Sequence, residues 1–453
     1  MSEKDGLFAA LFGRGEVAAG DRDWLQAMLD AEAALARAAE RAGLAPAGAG
    51  AAVTAAARAE LFDAAELGRQ AAAAGNPVPA LVRALTGRVP GFAAPAVHPG
   101  ATSQDILDTA AMLLTSRAAA VIGADLAAAA RSAAGLARAH VGTVLAGRTL
   151  LQQAVPVTFG LVAAGWLTAI DDAGAALAGI RRRRLAVQLG GAAGTLAPLG
   201  GDGPRLAALF ATELGLAAPV LPWHTDRLRV IEAAAALAGC CAALGKVARD
   251  VTLLASSEVG EVAEGQPGGS SAMPHKRNPV AAVVILGCTR RAPGLLATLT
   301  AAAEQEHQRA AGGWHAEWEP LADLLRLTGS AASWAAAMLA GLVPDPARMR
   351  ASLDAAHGLP MAEHVRAVLA PSLGAIAAHD LIAAASREAA ASGRELGEVL
   401  AGTPEPAGAL AGAGLDRAAL DRALDPENYL GAASFFVAAA LEAHEAREEP
   451  ASD

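Results

Sequence analysis

The most reactive side chains in this sequence are crowded into one short segment, residues 265–279. Three glycines and three prolines interrupt the helical pattern there, which predicts a loop. The same segment supplies hydroxyl, imidazole, amide and cationic groups, on Ser270, Ser271, His275, Lys276, Arg277 and Asn278. Lys276 is one of three lysines in a chain with 36 basic residues, which favours a requirement for a compact ammonium group. Such a loop can close over an anion, or it can be a polar connection between helices.

A second group of hydroxyls lies in residues 98–109. Thr102 or Ser103 can cap a helix that begins near Gln104, and Asp105 adds a negative charge to the first turn of that helix. The free backbone N–H groups of a helix start also form a binding site for a carboxylate. From the residues alone, this segment can be a helix cap only, or both a cap and a binding site for a carboxylate.

Helices must position these segments. The chain of 453 residues is 54% hydrophobic, 18% charged and only 3% aromatic, and alanine and leucine replace the residue types that sheets prefer. In residues 21–42, Trp24, Met28, Ala31 and Leu35 recur at spacings typical of an amphipathic helix. The sequence predicts an all-α fold with a long central helical bundle in residues 96–346. Smaller helical domains are predicted in residues 1–95 and 347–453.

The charge pattern argues against nucleic acid as a partner, because the formal net charge is −10. The basic run at residues 181–184 is predicted to be a solvated helix end. Residues 149–170 contain no charged side chain over 22 positions, long enough to span a bilayer. Gln152 and Pro156 fall inside this run, so we predict a buried central helix and no membrane span there, and the same for residues 327–344.

The sequence predicts neither a metal site nor a cofactor. Its three cysteines are too few for a disulfide framework, and no CxxC or HExxH spacing offers a metal site. The glycine-rich residues 190–195 lack a preceding strand, which argues against a dinucleotide-binding loop. The charged N-terminus does not resemble a secretory signal, so we expect a cytoplasmic protein.

Residues 269–278 match every fixed position of Gly-Ser-Ser-x-Met-Pro-x-Lys-x-Asn, so the chain resembles the fumarase/aspartase superfamily. This resemblance implies that Ser270 transfers the proton and that Lys276 and Asn278 hold a substrate carboxylate. Residues 98–109 resemble the family's Thr-Ser-x-Asp region. That region implies substrate binding by the hydroxyls of Thr102 and Ser103, with a histidine at the pocket, which here is His98.

Residues 147–156 resemble the family's Gly-Arg-Thr-His-x-Gln-x-Ala-x-Pro block, which implies that Thr149 and Gln152 contact substrate. Arg148 is expected to add local positive charge. The chain departs from the pattern at Leu150, where adenylosuccinate lyases carry a histidine, and a second family histidine is replaced within residues 75–78. These differences argue against a nucleotide substrate.

The same departures are similar to the bacterial 3-carboxy-cis,cis-muconate cycloisomerases, one branch of the superfamily. Residues 25–36, 306–318 and 358–363 also resemble that branch, and Trp318 replaces an arginine of the adenylosuccinate lyases. The resemblance implies lactonisation of a small polycarboxylate by a homotetramer whose sites are shared between subunits. The alternatives are an eliminase like adenylosuccinate lyase and a helical scaffold without catalytic activity.

Overall fold

The computed structural model describes residues 6–266, 268–269, 273, 275–414 and 416–448, and nearly all of its regular structure is α-helical. This confirms the predicted all-α class. In chain order the helices are α1 (Ala9–Phe12), α2 (Asp21–Arg41), α3 (Ala49–Ala56), α4 (Ala64–Ala74), α5 (Val78–Thr86), α6 (Ser103–Ala139), α7 (Phe159–Arg183), α8 (Gly203–Leu214), α9 (Leu228–Leu254), α10 (Val280–Thr289), α11 (Ala292–Ala301), α12 (Trp318–Ala340), α13 (Pro346–Asp354), α14 (Ala362–Leu373), α15 (Ala375–Ser392), α16 (Leu396–Gly402), α17 (Pro404–Gly412), α18 (Arg417–Leu424) and α19 (Ala433–Glu448). The strands are β1 (Val144–Thr149), β2 (Gln152–Thr158), β3 (Val262–Glu264) and β4 (Leu342–Pro344).

The contacts divide the chain into two compact units, each built from three separate segments. The first unit contains Met1–Ala127, Asp172–Gly245 and Val284–Ala335. Within it, α2 packs against α3 and α8, and Leu29 and Leu35 on α2 are fully buried. The predicted amphipathic helix at residues 21–42 is therefore confirmed, and Asp21 and Asp23 in its first turn complement the helix dipole.

The second unit contains Ala128–Asp171, Lys246–Val283 and Ala336–Asp453. It holds two antiparallel strand pairs, the β1–β2 hairpin and the pair of β3 with β4, and α13 packs on β1. Helices α14 to α18 enclose a separate apolar core around Leu369, Ile382 and Leu400. The boundaries of these two units do not coincide with the predicted domains 1–95, 96–346 and 347–453. The division into three sequential domains stays a prediction.

The prediction of a buried central helix at residues 149–170 is wrong in its first part. Residues 149–158 form the turn and second strand of the β1–β2 hairpin, and α7 begins only at Phe159. Leu150 and Leu151 have φ values of 50° and 65°, so this two-residue turn has positive φ at both positions, as tight hairpins require. Val155, Pro156 and Val157 then favour an extended strand over a helix. For residues 327–344 the prediction is confirmed as far as Ala340, where α12 ends.

Among the residues that the structure describes, four helical segments are long and apolar enough to cross a membrane by length and composition alone: Ser103–Ala139, Phe159–Arg183, Leu228–Leu254 and Val280–Ala301. The most apolar window of α6 is 72% buried within the protein, against 39–44% for the other three. The protein interior therefore covers most of the apolar surface of α6. The basic run at residues 181–184 lies at the end of α7 with its first three arginines exposed, which confirms the predicted solvated helix end.

Candidate functional site

The first unit brings His98, Thr102 and Ser103 together at the start of α6. Thr102 caps this helix, since its backbone N–H donates to Asp105 Oδ2 at 2.9 Å and its carbonyl accepts the N–H of Asp105 at 2.9 Å. The hydroxyl of Thr102 accepts a hydrogen bond of 2.7 Å from Arg309. No carboxylate in the described ranges forms an ion pair with Arg309. The predicted carboxylate site therefore combines a helix start, two hydroxyls and an uncompensated guanidinium.

Asp105 does more than supply charge to the first helical turn. Its carboxylate is fully buried and also accepts the backbone N–H groups of Gly190 and Gly191, at 3.0 and 2.9 Å. His224 Nε2 lies 2.7 Å from Oδ1 of the same carboxylate. Gly190 admits no side chain, because a β-carbon would lie 2.8 Å from the His224 ring. The 190–195 turn is therefore a structural support for the start of α6.

His98 is held by a buried carboxylate on α2. Glu32 is fully buried, and its Oε1 lies 2.6 Å from His98 Nδ1 while its Oε2 accepts the His98 backbone N–H at 3.0 Å. Burial alone would lower the pKa of His98, but the hydrogen bond and charge of Glu32, together with the charge of Asp105, raise it. Sequence reasoning missed Glu32, although its position four residues after Met28 on the apolar stripe was a signal.

One helical turn further along α6, Asp108 belongs to a buried cluster of charges. Arg227 donates to Asp108 at 2.8 and 3.0 Å and to Glu317 at 2.5 and 2.9 Å, and all three side chains are almost completely buried. Trp314 Nε1 and Gln104 Nε2 also donate to Asp108, at 3.0 and 3.1 Å. Burial alone would lower the pKa of Arg227, but the two carboxylates raise it instead. The cluster thus ties α6 to the starts of α9 and α12.

The aromatic residues 314–318 lie next to this cluster. The rings of Trp314 and Trp318 are 4.9 Å apart, and the His315 ring is 4.8 Å from Trp318. His315 Nε2 lies 2.9 Å from the carbonyl of Gly75, in the segment where the family histidine is replaced. The Nε1 atom of Trp318 is buried and has no hydrogen-bond partner among the described residues. A substrate carboxylate is one group that could accept from it.

In the second unit, Arg148, Thr149 and Gln152 lie on the β1–β2 hairpin. Arg148 forms a bidentate pair with fully buried Glu261, at 2.9 and 2.6 Å. Its positive charge is therefore compensated within the chain, and the pair anchors the hairpin to the residue before β3. Thr149 and Gln152 are exposed at the tip, where Leu150 is 96% exposed.

Lys276 and Asn278 lie in the same unit, in the segment before α10. The backbones of Gly268 and Asn278 pair through two hydrogen bonds of 3.0 and 2.9 Å, which close the neck of the loop. Lys276 is exposed, and no carboxylate in the described part of the chain lies within 4 Å of its ammonium group. The predicted catalytic residue, Ser270, lies outside the described residues. The roles of all these residues stay predictions.

Within the described residues, no group of three or more histidine, cysteine, aspartate or glutamate side chains could hold a metal ion. The three cysteines are free and buried. Burial raises the pKa of Cys240 to about 12 and that of Cys241 to about 11, so neither thiol ionises near neutral pH.

Comparisons with known proteins show which proteins this chain is similar to. Residues 16–294 match the family model described as "Lyase", and residues 358–440 match "Adenylosuccinate lyase C-terminus". The chain is 47% identical over 448 residues to a 3-carboxy-cis,cis-muconate cycloisomerase of Pseudomonas aeruginosa, covering 97% of this chain and 96% of that protein. It is also 47% identical over 432 residues to a nitrosuccinate lyase of Streptomyces davaonensis, covering 92% and 90%.

Among solved structures, the chain is similar to the 3-carboxy-cis,cis-muconate lactonizing enzyme of Pseudomonas putida. The TM-score is 0.89 at 43% sequence identity, and the match covers 97% of this chain and 99% of that chain. The similarity therefore extends over the complete fold and is not limited to the motif segments.

Proposed function

The chain belongs to the fumarase/aspartase superfamily of lyases, and on that basis we propose that it lactonises 3-carboxy-cis,cis-muconate. One observation carries the choice within the superfamily. The chain keeps the complete motif of residues 269–278, while an apolar residue, Leu150, stands where adenylosuccinate lyases carry a histidine. The nearly full-length similarity to named cycloisomerases supports the same choice.

The proposed reaction needs one proton donor and several groups that stabilise negative charge. One substrate carboxylate adds across a conjugated double bond, so that a C–O bond forms and an electron pair moves to the carbon beside another carboxylate. Ser270 protonates that carbon, and solvent returns the proton to Ser270. In the reverse direction Ser270 removes the proton and the internal carboxylate leaves. Nearby donors must stabilise the negative charge on the carboxylate next to the carbanion.

Two groups, the hydroxyl of Thr102 and the ammonium of Lys276, are suited to supply that stabilisation. The hydroxyl of Thr102 accepts from Arg309, so its own proton remains available to a substrate oxygen. Lys276 has no internal carboxylate partner in the described ranges. Because the protein has a formal net charge of −10, attraction of a trianionic substrate has to come from such local positive groups.

We infer that the active enzyme is a cytoplasmic homotetramer in which one site draws segments from several subunits. Two features support an association of identical chains. Leu150 and Leu151 expose 96% and 75% of their surface at the hairpin tip. The apolar windows of α7, α9 and α10–α11 are less than half buried within one chain. A second copy would cover such faces, and substrate would reach a site lined by both.

The direct test is the loss of muconate ultraviolet absorbance when purified protein is added to 3-carboxy-cis,cis-muconate. The Ser270→Ala variant serves as the matched control, since it removes only one hydroxyl. Absorbance loss that depends on Ser270 is the expected result. A parent protein without any effect on the absorbance contradicts the proposal.

The second candidate function is elimination of nitrite from nitrosuccinate, because the nitrosuccinate lyase relative is as similar to this chain, at 47% identity, as the cycloisomerase. In that reaction a base removes a proton next to a carboxylate and nitrite leaves. The same proton-transfer residue and the same carboxylate-binding groups would serve. Nitrite release from nitrosuccinate, measured beside the muconate assay at equal enzyme concentration, separates the two. The larger kcat/KM identifies the substrate class.

A further inference from the structure

Both carboxylate oxygens of Glu32 form hydrogen bonds with a single residue, His98. Oε1 lies 2.6 Å from the ring Nδ1 and Oε2 accepts the backbone N–H at 3.0 Å. Because a carboxylate only accepts hydrogen bonds, Nδ1 must carry a proton. The other ring nitrogen, Nε2, forms no hydrogen bond with the described residues. The contact therefore fixes the ring orientation and leaves Nε2 for a ligand.

The backbone of His98 is strained, and Glu32 contacts this backbone as well as the ring. Its φ value is 58°, in the left-handed region that residues with a β-carbon rarely adopt. Glu32 holds the strained peptide and the ring together, so losing the carboxylate would release both. His98 is also the only ion-pair partner of Glu32 within the part of the chain that is described. A buried carboxylate without a cation is strongly disfavoured, which favours the charged imidazolium.

We propose that Glu32 is a positioning residue that keeps His98 as an imidazolium, whose Nε2–H donates to a substrate carboxylate. The identity of that substrate rests on the proposed function, but the state of His98 does not. The groups that raise the pKa of His98 against the effect of burial are Glu32 on α2 and Asp105 on α6. Since the imidazolium exists below its pKa, substrate affinity falls as pH rises through that value.

The test uses Glu32→Gln, which keeps the shape but removes the charge. The matched control is Glu40→Gln in the same helix, because Glu40 also accepts two N–H groups, from Gly48 and Gly50 at 2.8 Å each, without contacting a histidine. Protein labelled at histidine ring carbons is titrated by NMR without substrate, and the His98 signal is assigned by its loss in His98→Gln. The His98 pKa should move down in Glu32→Gln and stay unchanged in Glu40→Gln.

Kinetics provide the second readout. KM at pH 7.5 should rise about tenfold in Glu32→Gln, the usual effect of losing a charged hydrogen-bond partner, with kcat much less affected. In a His98→Gln background the same change should add nothing, as expected if Glu32 acts through His98. An equal rise of KM in that background overturns the proposal.

The NMR titration distinguishes failure of this proposal from failure of the proposed function, because it needs no substrate. An unprotonated Nδ1, or a His98 pKa at or below its ordinary value in the parent protein, overturns the proposal even if muconate is turned over. If Glu32→Gln does not fold, this measurement on the parent still decides the question.

Discussion

The sharpest prediction concerns Arg227, the single cation between two buried carboxylates. Asp108 and Glu317 are 1% and 3% exposed, so neither can recover hydration if the guanidinium is lost. Arg227→Met keeps most of the side-chain volume but leaves two facing carboxylates without a counterion. Breaking a buried ion pair by removal of one partner costs about 3–5 kcal/mol of stability. For a chain of this length that corresponds to a thermal midpoint lower by roughly 3–5 °C.

Asp108→Asn is the matched control for this prediction. It removes one charge without changing the shape, and it leaves Arg227 and Glu317 as a balanced pair. The expected loss is about 1.5–3 kcal/mol, from weakened charged hydrogen bonds. Thermal unfolding at one fixed scan rate should therefore rank parent, Asp108→Asn and Arg227→Met in decreasing order of stability. An Arg227→Met protein at least as stable as Asp108→Asn refutes the reasoning.

The pH dependence provides an independent check. Burial raises the pKa of Glu317 against the lowering effect of Arg227, so Glu317 takes up a proton more readily in the folded protein than in the unfolded chain. Stability from this group is greatest below its unfolded pKa and falls as pH rises through its folded pKa. Without Arg227 the pKa of Glu317 should rise further. The stability gap between parent and Arg227→Met should therefore shrink from pH 8 to pH 5, and a constant gap contradicts the argument.

Four further predictions concern the site and the residues that support it. Ser270→Ala should abolish most turnover while folding and assembly remain intact, which kinetics and gel filtration can measure. Lys276→Arg should lower kcat/KM by roughly tenfold or more, because a planar guanidinium cannot replace the point contact of an ammonium; unchanged kinetics would show that any positive charge suffices. Mixing inactive Ser270→Ala and Thr149→Val proteins under subunit exchange should restore part of the activity, and no recovery despite proven hybrids would rule out sites that share these two segments. Glu261→Gln should lower the thermal midpoint, because Arg148 then loses its bidentate partner.

Much of the fold could be predicted because helical periodicity is a local signal. The stripe through Met28 and Leu35 predicted α2, and the hydroxyls before Gln104 predicted the start of α6. The β1–β2 hairpin was missed because its turn is Leu150-Leu151, which lacks the Asn-Gly or Asp-Gly pair that usually marks such turns. An apolar run then resembled a buried helix, although its β-branched residues and Pro156 favoured a strand.

The candidate site was predictable only where a segment carries its own signature. Residues 98–109 and 265–279 were identified from residue type alone, but their partners lie far away in sequence. Glu32 is 66 residues before His98, and Arg309 is 207 residues after Thr102. Such pairs depend on tertiary packing, which composition and spacing do not encode. A buried glutamate on an apolar stripe is the one local sign of such a partner.

Charge compensation separates the cations that support the fold from those available to a substrate. Arg148 was expected to attract substrate, yet it donates to a carboxylate with almost no exposure, as Arg227 also does, so both charges are already balanced. Arg309 and Lys276 have no such partner within the described ranges. For a protein of net charge −10, an incoming polycarboxylate gains little from a cation that is already paired. We therefore expect Arg309, whose guanidinium donates to the hydroxyl of Thr102, to attract substrate more strongly than Arg148.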